Sequence, residues 1–190
     1  MMINSKDYGS TIYVTAKKDL KLELLMLVNS YWKKNSMNYN KFKFRELIFE
    51  SFFSGKVHAK GHLIQYFPKK KKKNLLIDFE GKYTNNELYI KESYYEEEAS
   101  FIRHWKFKKI RSNSFIGNEK NVCGEIKVDI NGNCLHMNYL FKILFKRVPV
   151  NLKVKDNMFL ISENNLINTS VVSKYNIKLA ETLLLYKKLL

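Results

Sequence analysis

Residues 75–95 read LLIDFEGKYTNNELYIKESYY, and this stretch decides the fold class. Every second residue from Leu75 to Tyr83 is apolar or small, and the residues between them are mostly polar. This period of two is typical of a β-strand that buries one face. Asn85-Asn86 is then a turn signal, and the alternation resumes at Leu88. The stretch therefore predicts two antiparallel strands joined by a tight turn.

The same pattern extends over most of the chain. Further strands are predicted over residues 42–53, 57–63, 101–110, 122–130, 135–145, 148–154, 158–161 and 166–173, and residues 177–190 are a candidate closing strand. Tight turns separate these strands and leave no room for crossover helices. Because a sheet of this kind removes its edges by closing, we predict an all-β, lipocalin-like, antiparallel up-and-down barrel of about 8–10 strands.

One amphipathic N-terminal helix is predicted in residues 16–34. Leu20, Leu24 and Leu27 recur there at helical spacing, and lysines occupy many of the remaining positions. We therefore divide the chain into residues 1–40, which hold the helix and a polar linker, and residues 41–190, which form the barrel. The apolar face of the helix either packs against one end of the barrel or lies on an anionic membrane surface.

The chain is strongly basic, with 34 Lys and Arg against 18 Asp and Glu and a formal net charge of +16. Arginine, however, occurs only at Arg45, Arg103, Arg111 and Arg147. A protein that reads nucleic-acid sequence would use arginine for bidentate contacts, so a basic nucleic-acid-binding adaptor is the weakest alternative. An anionic membrane surface remains a candidate partner, because lysine acts there as a simple point charge.

The sequence shows no catalytic or metal-binding signature. Cys123 and Cys134 lack the spacing of a zinc site, and His58 and His62 would lie about 13 Å apart along a strand. No serine stands in a GxSxG turn, and no glycine-rich loop precedes a helix. We therefore expect no catalytic residue, no metal and no cofactor, and a binding protein rather than an enzyme.

No signal peptide is recognisable near the N-terminus. The best apolar run, residues 24–28, is too short for the core of such a peptide, and no segment approaches the about 20 apolar residues of a membrane span. We expect a cytoplasmic protein, peripheral to the inner membrane if it contacts lipid. It would be periplasmic if the biological N-terminus lies elsewhere.

A second predicted hairpin carries the candidate binding site. Its inward faces comprise Leu88, Ile90, Glu92 and Tyr94 on the first strand and Phe101, Arg103, Trp105 and Phe107 on the second. A register centred on the acidic tip between the strands places Glu92 opposite Arg103. Burying either ion alone costs several kcal/mol, so we predict an inward-facing ion pair. This pair either fixes the register or anchors the polar head of a bound amphiphile.

Ligand-binding residues are expected on the inward faces of these strands. We assign to the site the two charged residues, three aromatic neighbours and one aromatic residue of the preceding hairpin, which are Glu92, Arg103, Trp105, Phe107, Tyr94 and Phe79. Small residues on the inward faces, Ala59, Gly61 and Gly81, should leave an apolar void among the aromatic rings. We expect long-chain acyl ligands to enter this void from the barrel end near the helix.

Several short motifs span the barrel region, namely Glu50-Ser51-Phe52-Phe53-Ser54-Gly55, Asp78-Phe79-Glu80-Gly81, Arg103-His104-Trp105, Gly132-Asn133, Leu166-Ile167-Asn168 and Ser173-Lys174-Tyr175-Asn176-Ile177-Lys178. Together they resemble the bacterial domain of unknown function 3833 family, over residues 44–187. The resemblance implies a lipocalin-like barrel, and the family's association with fatty-acid-modifying enzymes implies a lipid role. Many members look like periplasmic lipoproteins, whereas a charged helix stands here in place of their signal peptide and lipidated cysteine.

These observations predict a non-enzymatic, lipocalin-like protein that binds a hydrophobic or acyl-chain ligand and is linked to fatty-acid modification, with a membrane surface as a candidate partner. The alternative is an enzyme or accessory factor that acts on membrane fatty acids inside the barrel through Glu92 and Arg103. An open apolar interior favours the first function, and an acid with a perturbed pKa in a pocket favours the second.

Overall fold

Ten antiparallel strands make up the barrel in this computed structural model, which describes residues 44–95 and 100–189. In chain order they are β1 (Gly55–Gln65), β2 (Lys71–Thr84), β3 (Glu87–Tyr95), β4 (Ser100–Arg111), β5 (Ser114–Asn118), β6 (Val122–Asn131), β7 (Cys134–Phe145), β8 (Val148–Ser162), β9 (Asn165–Lys174) and β10 (Ile177–Lys188). Each strand pairs with its neighbours along the chain, and β10 pairs with β1 to close the sheet. The predicted all-β, antiparallel up-and-down barrel is confirmed.

The apolar residues of the period-two pattern face the barrel interior. Val57 on β1 lies opposite Phe79 on β2, and both side chains are buried. Strands β3 and β4 pair in the predicted register, with Glu92 opposite Arg103. The alternation of the sequence therefore places both charged residues of the candidate site on the inner face of the wall.

The hairpin turns lie at two opposite ends of the barrel. The turns after β2, β4, β6 and β8 share one end, which we call the plug end. The turns after β1, β5, β7 and β9 share the other end, which we call the mouth end. The backbone N–H of Leu47 donates to the carbonyl oxygen of Gly132, in the turn after β6, at 2.9 Å. The segment that precedes β1 is thereby tied to the plug end.

Residues Phe49–Phe53 form a short helix, α1, where the sequence analysis predicts a strand over residues 42–53. That prediction is wrong because this segment lies inside the plug end and takes no part in the wall. Phe49, Phe52 and Phe53 are spaced three and four residues apart, so they lie on one face of the helix, and all three are buried.

The side chains of α1 form an aromatic plug. Phe49 makes edge-to-face contacts with Phe53, Phe107 and Phe115, at ring-centroid distances of 5.3, 5.2 and 5.2 Å. Phe53 also contacts Tyr186 of β10, at 6.0 Å. The plug therefore joins opposite parts of the wall through ring contacts in the geometry that aromatic quadrupoles favour.

Two further strand predictions differ from the structure. The sequence predicts separate strands at residues 148–154 and 158–161, but β8 runs unbroken through both. Asp156-Asn157 resembles a turn signal, yet the ladders with β7 and β9 continue through it. Strand β5 was not predicted, because five residues are too few to show a clear alternation of apolar and polar residues.

The helix predicted in residues 16–34, and with it the division at residue 40, lies outside the described residues. Within the two described ranges, no helix has the length and apolar character needed to cross a membrane. The basic run at residues 69–73 occupies the turn after β1 and the first residues of β2, at the mouth end.

Candidate functional site

A cavity of about 50 Å³ lies inside the barrel next to α1. Its lining is mostly aromatic or aliphatic apart from two carboxyl groups, and comprises Phe49, Phe53, Phe79, Ile90, Glu92, Trp105, Phe107, Met137, Tyr139, Asp156, Met158 and Tyr186. One water molecule needs roughly 10–15 Å³, so the cavity holds a few waters or one small chemical group. It is therefore a polar spot within an apolar core and too small for a whole acyl chain.

The small residues do not leave the void expected of them. A Cβ atom on Gly81 would lie 1.8 Å from the carbonyl oxygen of Phe53, so the backbone of α1 occupies that space. A Cβ atom on Gly61 would lie 2.0 Å from the carbonyl oxygen of Leu183 on the neighbouring strand. The expectation of a void is wrong because these glycines allow close approach of backbone segments.

Glu92 is the first polar group of the cavity wall. It lies on β3 between the inward residues Ile90 and Tyr94, and it is only 5% exposed. The indole Nε1 of Trp105 donates a hydrogen bond to its carboxyl group at 2.7 Å. Burial raises the pKa of this carboxyl group, and the charge of Arg103 and hydrogen bonds from Tyr94 and Trp105 offset the rise only in part. Glu92 therefore keeps its proton to a higher pH than an exposed glutamate does.

Arg103 lies opposite Glu92, but among the described ion pairs none joins the two residues. The guanidinium carbon instead lies 5.1, 5.2 and 4.8 Å from the ring centroids of Tyr94, Phe101 and Phe141. One guanidinium nitrogen also donates a long hydrogen bond, of 3.5 Å, to the Tyr94 hydroxyl group. The predicted ion pair is wrong because ring faces stabilise the cation and burial favours the neutral form of Glu92.

Asp156 is the second carboxyl group of the cavity wall and comes from β8. Its Oδ1 accepts hydrogen bonds from Asn168 Nδ2 and from Ser170 Oγ, the latter at 2.9 Å. Burial raises the pKa of the Asp156 carboxyl group, while these two hydrogen bonds oppose the rise. The sequence analysis missed Asp156, although it interrupts an apolar alternation on β8 as Glu92 does on β3.

Three tyrosines add hydroxyl groups around the two acids. Burial raises the pKa of Tyr94, Tyr139 and Tyr186 well above the usual range, and nearby carboxyl charges add to the rise. All three phenols therefore stay protonated at physiological pH and are able to donate hydrogen bonds. A few polar groups that converge in apolar surroundings are typical of a small-molecule site.

The structure brings most of the sequence-assigned residues together. Phe79, Glu92, Trp105 and Phe107 line the cavity, while Tyr94 and Arg103 lie beside it on the same hairpin, towards the mouth end. The cavity lining also includes Asp156, Tyr139 and Tyr186, which the sequence analysis did not assign. The candidate site is therefore built by two walls of the barrel and not by one hairpin.

Residues 25–188 match the family model described as "Protein of unknown function (DUF3833)". The chain belongs to the DUF3833 family. The resemblance seen in its motifs is thereby confirmed, and every residue that lines the cavity of this DUF3833 protein falls within the matched region. No curated protein matches the chain significantly in sequence.

Two solved structures resemble this DUF3833 protein in fold. One is the S-type phycobiliprotein lyase CPES from Guillardia theta, with a TM-score of 0.57 and 5% sequence identity, over 75% of this chain and 91% of that one. The other is a protein of unknown function from the DUF3598 family of Nostoc punctiforme PCC 73102, with a TM-score of 0.56 and 10% identity, over 76% of this chain and 51% of that one. This chain thus matches about half of the second protein. Identities this low show a shared barrel fold alone.

The described residues of this DUF3833 protein contain no group of three or more His, Cys, Asp or Glu side chains placed to hold a metal ion. Cys123 and Cys134 are free thiols. His58 lies against Asp78 of the neighbouring strand, with which it forms a side-chain hydrogen bond. The chemistry of the described cavity therefore rests on its two carboxyl groups and on the surrounding phenols.

The neutral double variant Glu92→Gln/Asp156→Asn of this DUF3833 protein should gain stability relative to the wild type as pH rises from about 4 to 7. In the folded protein both acids hold their protons above their ordinary pKa values of 4.5 and 3.8. The stability that this contributes is complete below those values, and it is lost as pH rises towards the raised values of the folded state. Urea unfolding at a series of pH values measures the difference.

The exposed Glu80→Gln variant is the control for this experiment, because Glu80 lies on the outer face of β2. It should follow the pH dependence of the wild type. A difference between the double variant and the wild type that does not change with pH would show that neither acid is protonated preferentially in the folded state.

Proposed function

We propose that this protein binds one small molecule inside the barrel and holds a polar group of that molecule between Glu92 and Asp156. The observation that carries the proposal is that two carboxyl groups from opposite walls face one apolar cavity. Strands β3 and β8 are five places apart in the ring of ten, so the two acids are on opposite sides. A barrel that only needed to fold would place apolar side chains there, because a buried carboxyl group costs free energy.

The chemistry of the site favours an amphiphile with an oxygen-rich head, and we extend the proposal to hydrophobic or acyl-chain ligands. A protonated carboxyl group donates a hydrogen bond to a carbonyl or carboxylate oxygen, and both acids have raised pKa values. Arg103 lies on the same hairpin without a carboxylate partner among the described residues, and it suits an anionic head. Aromatic side chains supply the apolar contacts on the remaining sides.

The size of the cavity requires side chains to move when a long ligand binds. Pockets for ligands of ordinary size measure about 300–1,000 Å³, whereas this cavity measures about 50 Å³. Met137 and Met158 line it, and methionine is the apolar side chain that adapts most easily. Because α1 fills the plug end, we propose that the apolar part of the ligand extends towards the mouth end. The expected entry near the helix of residues 16–34 stays a prediction, because that helix lies outside the described residues.

The likeness in fold gives limited support to the same proposal. A protein titled a phycobiliprotein lyase uses a barrel of this shape. The barrel is thus a framework on which a protein acts on another molecule, which is compatible with a ligand inside the DUF3833 barrel.

A second candidate function is an enzyme, or an accessory factor, that acts on a fatty acid in the barrel. The observation that favours it is that both acids of one cavity have raised pKa values, as groups that exchange protons in catalysis often have. In that case Glu92 and Asp156 would supply and accept protons. Conversion of a bound ligand to a product, detected by mass spectrometry, separates this function from binding alone.

Titration of the purified full-length protein with a fatty acid, a fatty amine and a phospholipid is the direct test of binding. Trp105 lines the cavity and bonds to Glu92, so its fluorescence should change saturably when a ligand head enters. The Trp105→Phe variant should lose most of this change. Trp32, outside the described residues, remains as an internal reference. Native mass spectrometry of co-purified molecules supplies the first ligands to try.

Substitution of the two acids tests the assignment of the head group. Glu92→Leu/Asp156→Leu, which removes both hydrogen-bond donors where Gln and Asn would keep them, should weaken binding at least about tenfold, since a hydrogen bond to a charged partner is worth about 1.5–3 kcal/mol. Glu80→Gln, on the outer face, should bind like the wild type. A saturable signal that the double variant keeps in full would remove the acids from the site. The absence of any saturable signal would contradict ligand binding altogether.

A further inference from the structure

Three adjacent hairpin tips at the mouth end form a surface that is both basic and apolar. We call it the tip surface and define it as residues 67–72, 144–148 and 174–178, from the turns between β1 and β2, β7 and β8, and β9 and β10. These three hairpins are consecutive in the ring of strands. The acidic run at residues 96–98, between β3 and β4, belongs to none of them.

Large apolar side chains protrude from each of the three tips. Leu144 is 74% exposed and Tyr175 is 86% exposed. Phe67, Val148 and Ile177 are also mostly exposed. The ring of Phe67 lies 6.3 Å from that of Phe145, so two of the tips touch each other through aromatic side chains. The turns at the plug end, by contrast, consist of Asn, Ser, Gly and Glu residues.

Positive charge accompanies these apolar side chains. The tip surface contains eight cations and no acidic residue, the cations being Lys69, Lys70, Lys71, Lys72, Lys146, Arg147, Lys174 and Lys178. Among the described ion pairs, only Lys178 has a carboxylate partner, Glu181, at 2.7 Å. The ammonium group of Lys174 lies over the ring of Tyr175, 4.8 Å from its centroid. Most of this charge is therefore available to an external partner.

In two of the tips, residue types that disfavour left-handed backbone occupy it. Lys146 and Arg147 have φ values of 49° and 68°, and Tyr175 has a φ value of 50°. Left-handed backbone of this kind favours glycine and asparagine, and two asparagines occupy it at Asn85-Asn86 in the plug-end turn between β2 and β3. Cationic and aromatic residues raise the free energy of such turns, so another role accounts for them better.

We propose that the tip surface docks the protein on an anionic lipid bilayer, with the apolar tips in the headgroup region and the cations beside the lipid phosphates. Complementary charge argues for an anionic partner. Apolar residues carried on separate protruding tips fit a bilayer, which admits each tip independently, better than they fit the continuous patch of a protein interface. Aromatic side chains and lysines are also the residues that favour the membrane interface.

Co-sedimentation of the full-length protein with phosphatidylcholine vesicles, with and without phosphatidylglycerol, tests the proposal. The wild type should bind only when phosphatidylglycerol is present. It should be released when the salt concentration rises from about 0.1 M to about 1 M, which shortens the Debye length from roughly 10 Å to 3 Å. Lys146→Glu/Arg147→Glu and Leu144→Ser/Tyr175→Ser should each weaken binding at least about tenfold, with an unchanged melting temperature.

Lys108→Glu/Lys127→Glu is the matched control, because it makes the same change of charge at exposed positions on the outer wall. It should change binding by less than about threefold. An equal loss in this control would show attraction by net charge alone and overturn the proposal. Binding that both tip variants retain in full would assign the membrane contact to another part of the chain and overturn it as well.

Quenching by brominated lipids measures insertion of the tips directly. A Tyr175→Trp variant should be quenched on anionic vesicles more strongly than the wild type, which has Trp32 and Trp105 only. Equal quenching of the two proteins would show that the tip stays outside the bilayer and would overturn the insertion. Since none of these tip residues lines the cavity, the outcome is independent of ligand binding.

Discussion

Phe49→Ala is expected to destabilise the protein by about 3–5 kcal/mol, a large part of the free energy of unfolding of an ordinary domain. Phe49 is only 1% exposed, and its ring contacts three other aromatic rings of the plug and the wall. Alanine would remove these contacts and leave a cavity that the surrounding closed wall has little freedom to fill. Urea unfolding followed by circular dichroism measures the loss.

The same substitution at Phe44 provides the control. Phe44 is 59% exposed and lies five residues before Phe49 in the same segment. Phe44→Ala should change the free energy of unfolding by less than about 0.5 kcal/mol, as surface substitutions usually do. If both variants lost the same stability, the plug would not be a specific contributor to the fold.

Gly81→Ala is expected to cost about 3 kcal/mol or more, at the upper end of the usual effect of an oversized core residue. The added Cβ atom would lie 1.8 Å from the carbonyl oxygen of Phe53 and 2.8 Å from its carbonyl carbon. These are backbone atoms of α1, so a change of side-chain rotamer cannot relieve the clash. The plug or β2 must move. Thermal and urea unfolding measure the cost.

Lys82→Ala is the control on the same strand, since Lys82 is exposed on the outer face of β2. It should leave the stability nearly unchanged. A Gly81→Ala variant as stable as this control would mean that the end of α1 does not lie against β2 in solution. The two substitutions therefore test the position of the plug independently of the aromatic contacts.

The strand pattern and one hairpin register followed from the sequence because they depend on local alternation. The apolar face from Leu88 to Phe107 has a period of two over both strands, and a shift of one residue would expose all of it. The alternation fixes which faces meet, and the register centred on the acidic tip then selects the observed pairing of Glu92 with Arg103. The absence of the Glu92–Arg103 ion pair could not be predicted from this hairpin alone. The three rings around the Arg103 guanidinium come from strands in two separate parts of the chain.

The plug and the second acid were missed for different physical reasons. A helix of five residues has barely more than one turn, so the sequence shows no helical periodicity there. The stability of this helix comes from burial of Phe49 and its neighbours. Asp156 was missed because it falls between the two strands predicted at residues 148–154 and 158–161. Asp156 lies at an inward-facing position with apolar residues two places before and after it. The same criterion identified Glu92.

Nine of the ten strand pairings join neighbours along the chain, and each closes only a short loop. The tenth joins β1 to β10, so that Val57 pairs with Lys188 across almost the whole barrel sequence. Loop-closure entropy makes this seam the most costly pairing to form first, so it closes after the hairpins have assembled. Until then two long strand edges stay unpaired, and a second copy of the chain is able to pair with them. We therefore expect aggregation during folding to increase when closure of this one seam is slowed.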